Sequence, residues 1–200
     1  MIVAQHRYQT TYPLAVPLAM IVIGALACLV RDVIARFREQ RSVDEPTGLP
    51  NARALVGSAK GDAGVVLAVA RIDNHDALRA ILGPKGTADL IIRVGERMAL
   101  IAEDNLVYRT ADRQLAFKLT TREAIDDTLH GLRSILLQPV EIGGRRVDVA
   151  VSIGIASGAH QQIDSLIADA TLAAEEARDA DVFWRRAATD IDSLEQSISL

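Results

Sequence analysis

The stretch from Val107 to Phe117 most limits what this chain can fold into, because it predicts a strand, a two-residue turn and a returning strand. Ala111-Asp112 is the expected tip of this hairpin. Leu115, Phe117 and Leu119 alternate along the returning strand, which places their side chains on one buried face. The chain is therefore expected to contain a sheet with an apolar face.

The composition indicates a globular protein. The chain has 200 residues, of which 50% are hydrophobic and 24% charged, enough for one domain with a core and an appendage. The formal net charge of -4 gives no general reason to expect nucleic-acid binding. Cys28 is the only cysteine, which excludes a disulfide framework.

Hydrophobic periodicity and turn residues predict the order of the other elements. They are a short helix from Ala52, a buried strand over Gly64–Ile72, helices over Asp76–Leu82 and Thr87–Ile101, the hairpin, a helix over Ala124–Leu136, a second hairpin of Gln138–Ile142 and Val147–Ile155 around Gly143-Gly144, a helix over Ile163–Arg178 and an edge strand over Val182–Trp184. This order predicts an α+β sheet layered with helices.

The N-terminal segment, residues 1–30, is expected to contain a transmembrane helix. Residues 9–30 carry no charge and would span roughly 30 Å as a helix, enough to cross a bilayer core. The flanking arginines are Arg7 before this run, and Arg31, Arg36, Arg38 and Arg41 after it. The positive-inside rule then predicts a single-pass protein of the inner, cytoplasmic membrane with its globular domain in the cytoplasm.

Other interpretations of the N-terminal part stay open. The apolar run could instead be a cleaved signal peptide, a lipoprotein signal at Cys28 or a buried core helix. Residues 31–42 continue as a helix or linker, which is either a solvated juxtamembrane segment or a stalk that pairs two chains. A homodimer is therefore one of the expected assemblies.

Three motifs carry a family resemblance. The opening motif Asp-x-Leu-Thr-Gly-Leu-Pro-Asn-Arg-Arg is matched by Asp44, Thr47, Gly48, Leu49, Pro50, Asn51 and Arg53. The stretch Val151–Ala156 reads Val-Ser-Ile-Gly-Ile-Ala, and Ala168-Asp169 with Leu172 begins an Ala-Asp-x-Ala-Leu helix. On these motifs, residues 43–186 resemble the GGDEF family of diguanylate cyclases.

The resemblance implies a nucleotide-cyclase-like α+β fold with a central, mainly antiparallel sheet flanked by helices. In the family, the acidic residue and the last arginine of the opening motif tie its turn down, a role that would fall to Asp44 and Arg53. A cyclase of this kind joins two GTP molecules and needs carboxylates for two divalent cations.

At the metal positions the chain departs from the family. Arg71 stands at the first metal carboxylate, although Asp73 matches the second aspartate of the same strand end. Arg113 stands at the second metal carboxylate, and the acidic residue after it is Gln114. A guanidinium has no lone pair to offer a metal, so these substitutions remove the metal chemistry.

The nucleotide positions depart as well. The guanine contacts become Arg79 and Ala88, the two glycines of the tip become Ala111 and Asp112, the late lysine becomes Glu176, and Ala102 and Asn105 replace the Arg-x-x-Asp of the inhibitory product site. The resemblance therefore implies a degenerate domain with no catalytic residue, no metal and no cofactor.

Three functions are weighed on this basis. The first is an inactive regulatory or dimerisation module in cyclic-di-GMP signalling that controls a downstream or partner phosphodiesterase domain of the EAL type. The second is a sensor that binds GTP or another anion without turnover, using Arg71, Arg79 and Arg113 as a basic pocket; the alternative is that these are solvated arginines paired with nearby aspartates. The third is an active cyclase with rewired metal ligands.

Residues 187–200 predict a linker helix with one apolar side. It is either a frayed terminal helix or a connection into a further domain, for which the EAL type is the expectation that the resemblance carries.

Overall fold

The structure is a computed structural model that describes residues 42–59, 64–120, 124–159 and 162–188, and five helical positions before them at 20, 23, 24, 26 and 31. The chain divides into two units, Met1–Arg41 and Ser42–Leu200. Most of the predicted membrane helix, the juxtamembrane segment and the C-terminal helix lie outside the described residues. Among the residues that are described, no helix has the length and apolar character needed to cross a bilayer.

The second unit alternates helices and strands. Its helices are α1 (Ala52–Ser58), α2 (His75–Ala99), α3 (Ile125–Leu136) and α4 (Ile163–Asp179), with a 3-10 turn at Glu103–Asn105. Its strands are β1 (Val65–Ile72), β2 (Tyr108–Ala111), β3 (Gln114–Leu119), β4 (Val140–Ile142), β5 (Arg145–Val147), β6 (Val151–Gly158) and β7 (Trp184–Arg186). This order matches the predicted one, except that two strands, β5 and β6, stand where a single strand over Val147–Ile155 was predicted.

The central sheet has the strand order β2-β3-β1-β6-β7. Its β2–β3, β3–β1 and β1–β6 pairs are antiparallel, whereas β7 runs parallel to β6. The sheet is therefore mixed, which corrects the prediction of a mainly antiparallel one. The reason is α4, because a helix between two neighbouring strands brings the chain back to the same end of the sheet.

The middle strand, β1, is buried along all eight residues. Ala68, Ala70 and Ile72 face one core, to which α2 and α3 contribute. Leu67 and Val69 face a second core, to which α1 and α4 contribute. Helices on both sheet faces explain why the strand is a continuous apolar run rather than an alternating one.

The first hairpin turns one residue later than predicted. β2 ends at Ala111 and β3 begins at Gln114, so the turn is Asp112–Arg113 rather than Ala111-Asp112. A register shift between Arg109 and Ala111 absorbs the extra residue. The predicted buried face is confirmed, since Leu115, Phe117 and Leu119 all belong to the core.

The second predicted hairpin is two separate structures. β4 and β5 pair around the two glycines as a small sheet of their own, and β6 belongs to the central sheet. Asn74 holds the segment between them, because its Nδ2 donates to Asp148 O at 2.9 Å and its Oδ1 accepts from Ala150 N at 3.1 Å. The alternation of valines across residues 147–151 gave no sign of this break.

Helix α2 contains the predicted interruption between two helices. Gly83 has a φ of 70°, outside helical geometry, and the chain resumes the helix after Pro84. A positive φ is open to glycine at little cost, which explains a glycine at this bend. The Thr87 hydroxyl donates to Gly83 O at 2.8 Å and begins the second part.

Candidate functional site

The substituted positions meet where β1 ends. The register pairs Arg71 with Gln114 of β3 on one side and with Ser152 of β6 on the other. The turn of the hairpin is attached to the same place, because Ile72 N donates to Arg113 O at 2.9 Å. The structure therefore brings Arg71, Arg113 and Gln114 to one end of the sheet.

Arg71 is buried and points to α4. Its side chain is 9% exposed, and its Nη1 donates to Glu175 Oε1 at 2.7 Å. Its Nε lies 3.6 Å from Asp73 Oδ1, and neither of these two buried atoms has a hydrogen-bond partner. The guanidinium thus lies between two carboxylates at the end of β1, where the family resemblance puts a metal ligand.

Asp73 is the one matched acidic residue at this strand end. Its Oδ2 accepts a hydrogen bond from Ser152 Oγ at 2.7 Å. Burial raises the pKa of the Asp73 carboxyl above its ordinary value, although the Ser152 hydrogen bond and the charges of Arg71 and Arg178 work in the opposite direction. Ionisation of the Asp73 carboxyl therefore costs free energy at this position, and the cation nearest to it is the Arg71 guanidinium.

The hairpin turn forms a second, more exposed group. Arg113 Nη1 lies 3.8 Å from Asp76 Oδ2, and the Arg113 side chain is 42% exposed. The pKa of Asp76 is lowered, first by its hydrogen bond with the buried His75 and then by the positive charges of Arg113 and Arg79. Arg79 and Arg113 therefore act on Asp76, whereas Arg71 is paired elsewhere.

The remaining predicted positions, Ala88, Arg79, Glu176 and Asp112, do not come together in one site. Ala88 is buried in α2, and Arg79 and Glu176 are exposed on α2 and α4. Asp112 is 82% exposed at the turn, and its Oδ1 lies 3.7 Å from Arg109 Nη2. Within the described part of the chain, no three His, Cys, Asp or Glu side chains lie close enough together to hold a metal ion.

The opening loop is tied down by Asp44, in the role that the resemblance implies for it. Asp44 Oδ2 accepts from Thr47 Oγ1 at 2.6 Å and from Arg109 Nη1 at 2.6 Å. The arginine that takes part is thus Arg109 of β2, far along the chain, rather than Arg53. Arg53 is exposed, and its backbone N donates to Asn51 Oδ1 as part of the helix cap.

A backbone contact brings Arg109 to the loop. Arg109 N donates to Pro50 O at 2.7 Å, which aligns the outer edge of β2 with the end of the opening motif. Residues Gly48 and Leu49 complete the turn, where Asp44 N donates to Leu49 O at 2.9 Å and Gly48 N donates to Asp44 O at 2.8 Å. Sequence reasoning missed Arg109, and also missed Glu175 as the partner of Arg71 and Ser152 as the partner of Asp73.

Solved protein structures share this fold. The GGDEF domain of FimX from Pseudomonas aeruginosa matches with a TM-score of 0.58 and 21% identity, over 72% of this chain and 97% of that one. The chain has the fold of GGDEF domains. No family model matches the sequence, and no curated protein does.

Two further GGDEF-fold structures extend the comparison. A diguanylate cyclase/phosphodiesterase from Caldicellulosiruptor saccharolyticus matches with a TM-score of 0.63 and 22% identity, over 72% of this chain and 91% of that one. The coiled coil and GGDEF domain of DgcB from Caulobacter crescentus, solved in complex with c-di-GMP, matches with a TM-score of 0.61 and 17% identity, over 86% of this chain and 98% of that one.

Proposed function

We propose that this chain is a regulatory GGDEF-type module of cyclic-di-GMP signalling that does not itself make cyclic-di-GMP. The observation that carries the proposal is the ion pair of the buried Arg71 with the half-exposed Glu175, at the strand end where the family resemblance requires a metal carboxylate. A cation held 2.7 Å from Glu175 and 3.6 Å from Asp73 repels a divalent metal and neutralises the carboxylates nearest to that position.

The hairpin turn supports the same conclusion. Two-metal catalysis needs acidic ligands on both sides of the bridged phosphates. The turn offers Asp112 and Arg113 instead, with Gln114 directly opposite Arg71 across the sheet. The Asp112 carboxylate would repel a triphosphate. A metal ion could offset this repulsion, but the guanidinium groups of Arg71 and Arg113 cannot coordinate one.

The proposal includes an anchor and partners. Residues 9–30 would hold the protein in the inner membrane as a single span, with the GGDEF-type domain in the cytoplasm. The helix of residues 31–42 would pair two chains, and the module would control an EAL-type phosphodiesterase domain in the same or a partner protein. One structure of the same fold is described as a diguanylate cyclase/phosphodiesterase, which supports this choice of partner.

A turnover assay tests the central part of the proposal. The purified full chain is incubated with GTP and either Mg²⁺ or Mn²⁺, and products are separated by chromatography beside a diguanylate cyclase as positive control. We expect no cyclic-di-GMP above the blank without protein. Product in amounts proportional to protein concentration, and lost on chelation of the metal, would overturn the proposal.

A nucleotide sensor without turnover is the second candidate. It is favoured by Arg113, which is 42% exposed, and by the neighbouring exposed Arg79 on α2. Calorimetric titration of GTP into the full chain tests it. Tight binding without product, weakened in Arg79→Ala and in Arg113→Ala, would identify a sensor; a ligand at 100 times its Kd would also stabilise the fold by about 2.7 kcal/mol.

A further inference from the structure

A groove is formed by residues from the end of α3, the start of β6 and the loop between α4 and β7, and Asp73 and Ser152 of the candidate site also line it. Its main cavity has a volume of about 350 Å³. A second cavity of about 230 Å³ shares Arg133, Asp181, Val182 and Phe183 with the first and adds His130 and Trp184. Because the two cavities share these four residues, they form one surface, called here the α3–β7 groove.

Apolar and polar residues both line the main cavity. Seven of its twelve lining residues are apolar, among them Leu136, Leu137, Val149, Val151, Val182 and Phe183. Apolar walls with a few polar groups are the usual composition of small-molecule sites, whose volumes run from about 300 to 1,000 Å³. The main cavity lies at the lower end of that range, so its size favours a small ligand over a dinucleotide.

Four charged side chains line the main cavity, and two of them already have partners. Asp73 accepts a hydrogen bond from Ser152 and faces Arg71 at 3.6 Å. Arg178 Nη2 donates to Asp179 Oδ1 at 2.6 Å. The charges of these two groups are therefore largely balanced within the protein.

The other two charged groups are unbalanced. Arg133 and Asp181 have no ion-pair partner among the residues that the structure describes. Arg133 instead lies over the ring of Phe183, with its Cζ 5.9 Å from the ring centroid. One cation and one anion thus remain available on the same apolar groove.

Backbone hydrogen bonds hold the loop around Asp181 in place. Asp181 has a φ of 54°, the left-handed conformation that ends α4, and its N donates to Arg178 O at 3.0 Å. Val182 N donates to Ala177 O at 2.9 Å, and Phe183 O accepts from Ile153 N at 2.9 Å. These bonds fix the loop that carries the anion and the aromatic ring, so the groove is formed before a ligand arrives.

We propose that the α3–β7 groove binds a small zwitterion with an apolar body, of the class of α-amino acids with a branched aliphatic or aromatic side chain. The carboxylate would pair with Arg133 and the ammonium group with Asp181, while the side chain packs against Phe183 and the aliphatic wall. A simple anion would be repelled by Asp181 and a simple cation by Arg133, so opposite charges on one ligand fit best. The inference goes beyond the proposed signalling role and needs neither GTP nor a metal.

The chain provides its own reporter for this site. Trp184 is the only tryptophan, and it lines the second cavity of the groove. The full chain is titrated with L-leucine, which does not fluoresce, while tryptophan emission is followed and the affinity is checked by calorimetry. We expect a saturable change. We also expect 4-methylpentanoate, which lacks the amine, and 3-methylbutylamine, which lacks the carboxylate, to bind about tenfold or more weakly.

Matched variants assign the two charges. We expect Arg133→Met and Asp181→Asn each to weaken L-leucine binding by about tenfold or more. Asparagine is chosen at position 181 because it tolerates a left-handed backbone. Arg93→Met is the control, since Arg93 is an exposed arginine that pairs with Glu96 and does not line the groove; its affinity should not change.

Three results would overturn the inference. They are no saturable signal with millimolar L-leucine, equal affinity for L-leucine and its singly charged analogues, and undiminished binding in both groove variants. Circular dichroism of each variant shows that it is folded. The analogue series uses the unaltered chain, so it decides the matter even where a variant does not fold.

Discussion

At the scale of single residues, Asp44 joins the opening loop to the sheet. It accepts hydrogen bonds from Thr47 and from Arg109, whose side chain is only 10% exposed. Asp44→Asn removes the negative charge that accepts these hydrogen bonds. We therefore expect the free energy of unfolding, measured by urea denaturation, to fall by about 2 kcal/mol. Glu45→Gln, at the exposed neighbouring position, is the control and should change it by less than about 0.5 kcal/mol.

The contribution of Asp44 to the free energy of unfolding should disappear in acid. Burial opposes its ionisation, but the hydrogen bonds from Thr47 and Arg109 outweigh burial, so the pKa of Asp44 lies below its ordinary value of 3.8. Stabilisation by such a group is complete above the unfolded pKa and is lost as the pH falls through the folded one. The stability gap between the unaltered chain and Asp44→Asn should therefore narrow below about pH 4. A gap that stays constant down to the acid transition would contradict this assignment.

Asp73 should show the opposite pH dependence. Burial raises its pKa above 3.8 in the fold, against the hydrogen bond from Ser152 and the charge of Arg71. The native protein then binds the proton more tightly than the unfolded chain, so the contribution of Asp73 is greatest below the unfolded pKa and is lost as the pH rises through the folded one. Relative to Asp73→Asn, the unaltered chain should lose stability over that interval, measured as unfolding free energy against pH.

The Arg71–Glu175 pair can be measured by a double-mutant cycle. We expect Arg71→Met and Glu175→Gln to show a coupling energy of about 1 kcal/mol, limited by solvent because the Glu175 side chain is 47% exposed. Arg71→Met alone should cost more than Glu175→Gln, since it also deprives Asp73 of its nearest cation. The control cycle uses Arg93 and Glu96, both more than half exposed, where coupling should stay below about 0.5 kcal/mol. Equal coupling in the two cycles would show that burial adds nothing at Arg71.

At the scale of elements, α4 packs directly on β6 through Gly154. A Cβ at this position would collide with Ala170 O and Ala174 N, both of them backbone atoms of the helix. Gly154→Ala must therefore move the helix, and we expect a loss of about 3 kcal/mol or more in unfolding free energy. Because α4 carries Glu175, the same shift should also weaken the ion pair with Arg71.

Gly131 supplies the matched control for that substitution. It lies in α3, and a Cβ at this position would meet no atom outside its own helix turn within 4 Å. Gly131→Ala should therefore stabilise the protein by about 0.5 to 1 kcal/mol, since alanine has the higher helix propensity. A loss of stability in Gly131→Ala similar to that in Gly154→Ala would show that close packing is not the cause.

At the scale of the whole molecule, the chain divides into two units at residue 41. Residues from Ser42 onward contain both cores and the complete central sheet. A fragment that begins at Ser42 should therefore fold cooperatively, with a melting temperature by circular dichroism close to that of the full chain in the same detergent. A broad transition without a native baseline would show that the fold needs the first 41 residues.

The proposed anchor leads to a separate prediction. If residues 9–30 span the bilayer, cell fractionation should find the full chain with the membranes, and deletion of residues 1–41 should release it. Fusion of residues 1–41 to a soluble reporter is the complementary experiment and should move the reporter to the membranes. Recovery of the full chain in the supernatant would contradict the membrane anchor, but it would not bear on the fold of the unit that begins at Ser42.

Much of the fold could be predicted because its determinants are local. Glycine and proline mark the bend at Gly83 and the turn of the small β4–β5 sheet, and apolar spacing identifies the helices and the face of β3. The hairpin turn was placed one residue early, because a register shift depends on the neighbouring strand rather than on the turn residues. The break after Val147 was missed for a similar reason, since the side chain that holds it, Asn74, is distant in sequence.

By itself, the sequence determined most of the elements and placed arginines at positions 71 and 113, because these follow from residue type and local spacing. Only the tertiary structure decided which charges pair, Arg71 with Glu175 and Asp44 with Arg109, and that Arg133 and Asp181 line one groove. It also decided that β7 is parallel. The physical reason is that ion pairs, strand direction and cavities depend on contacts between distant segments, which no local pattern encodes.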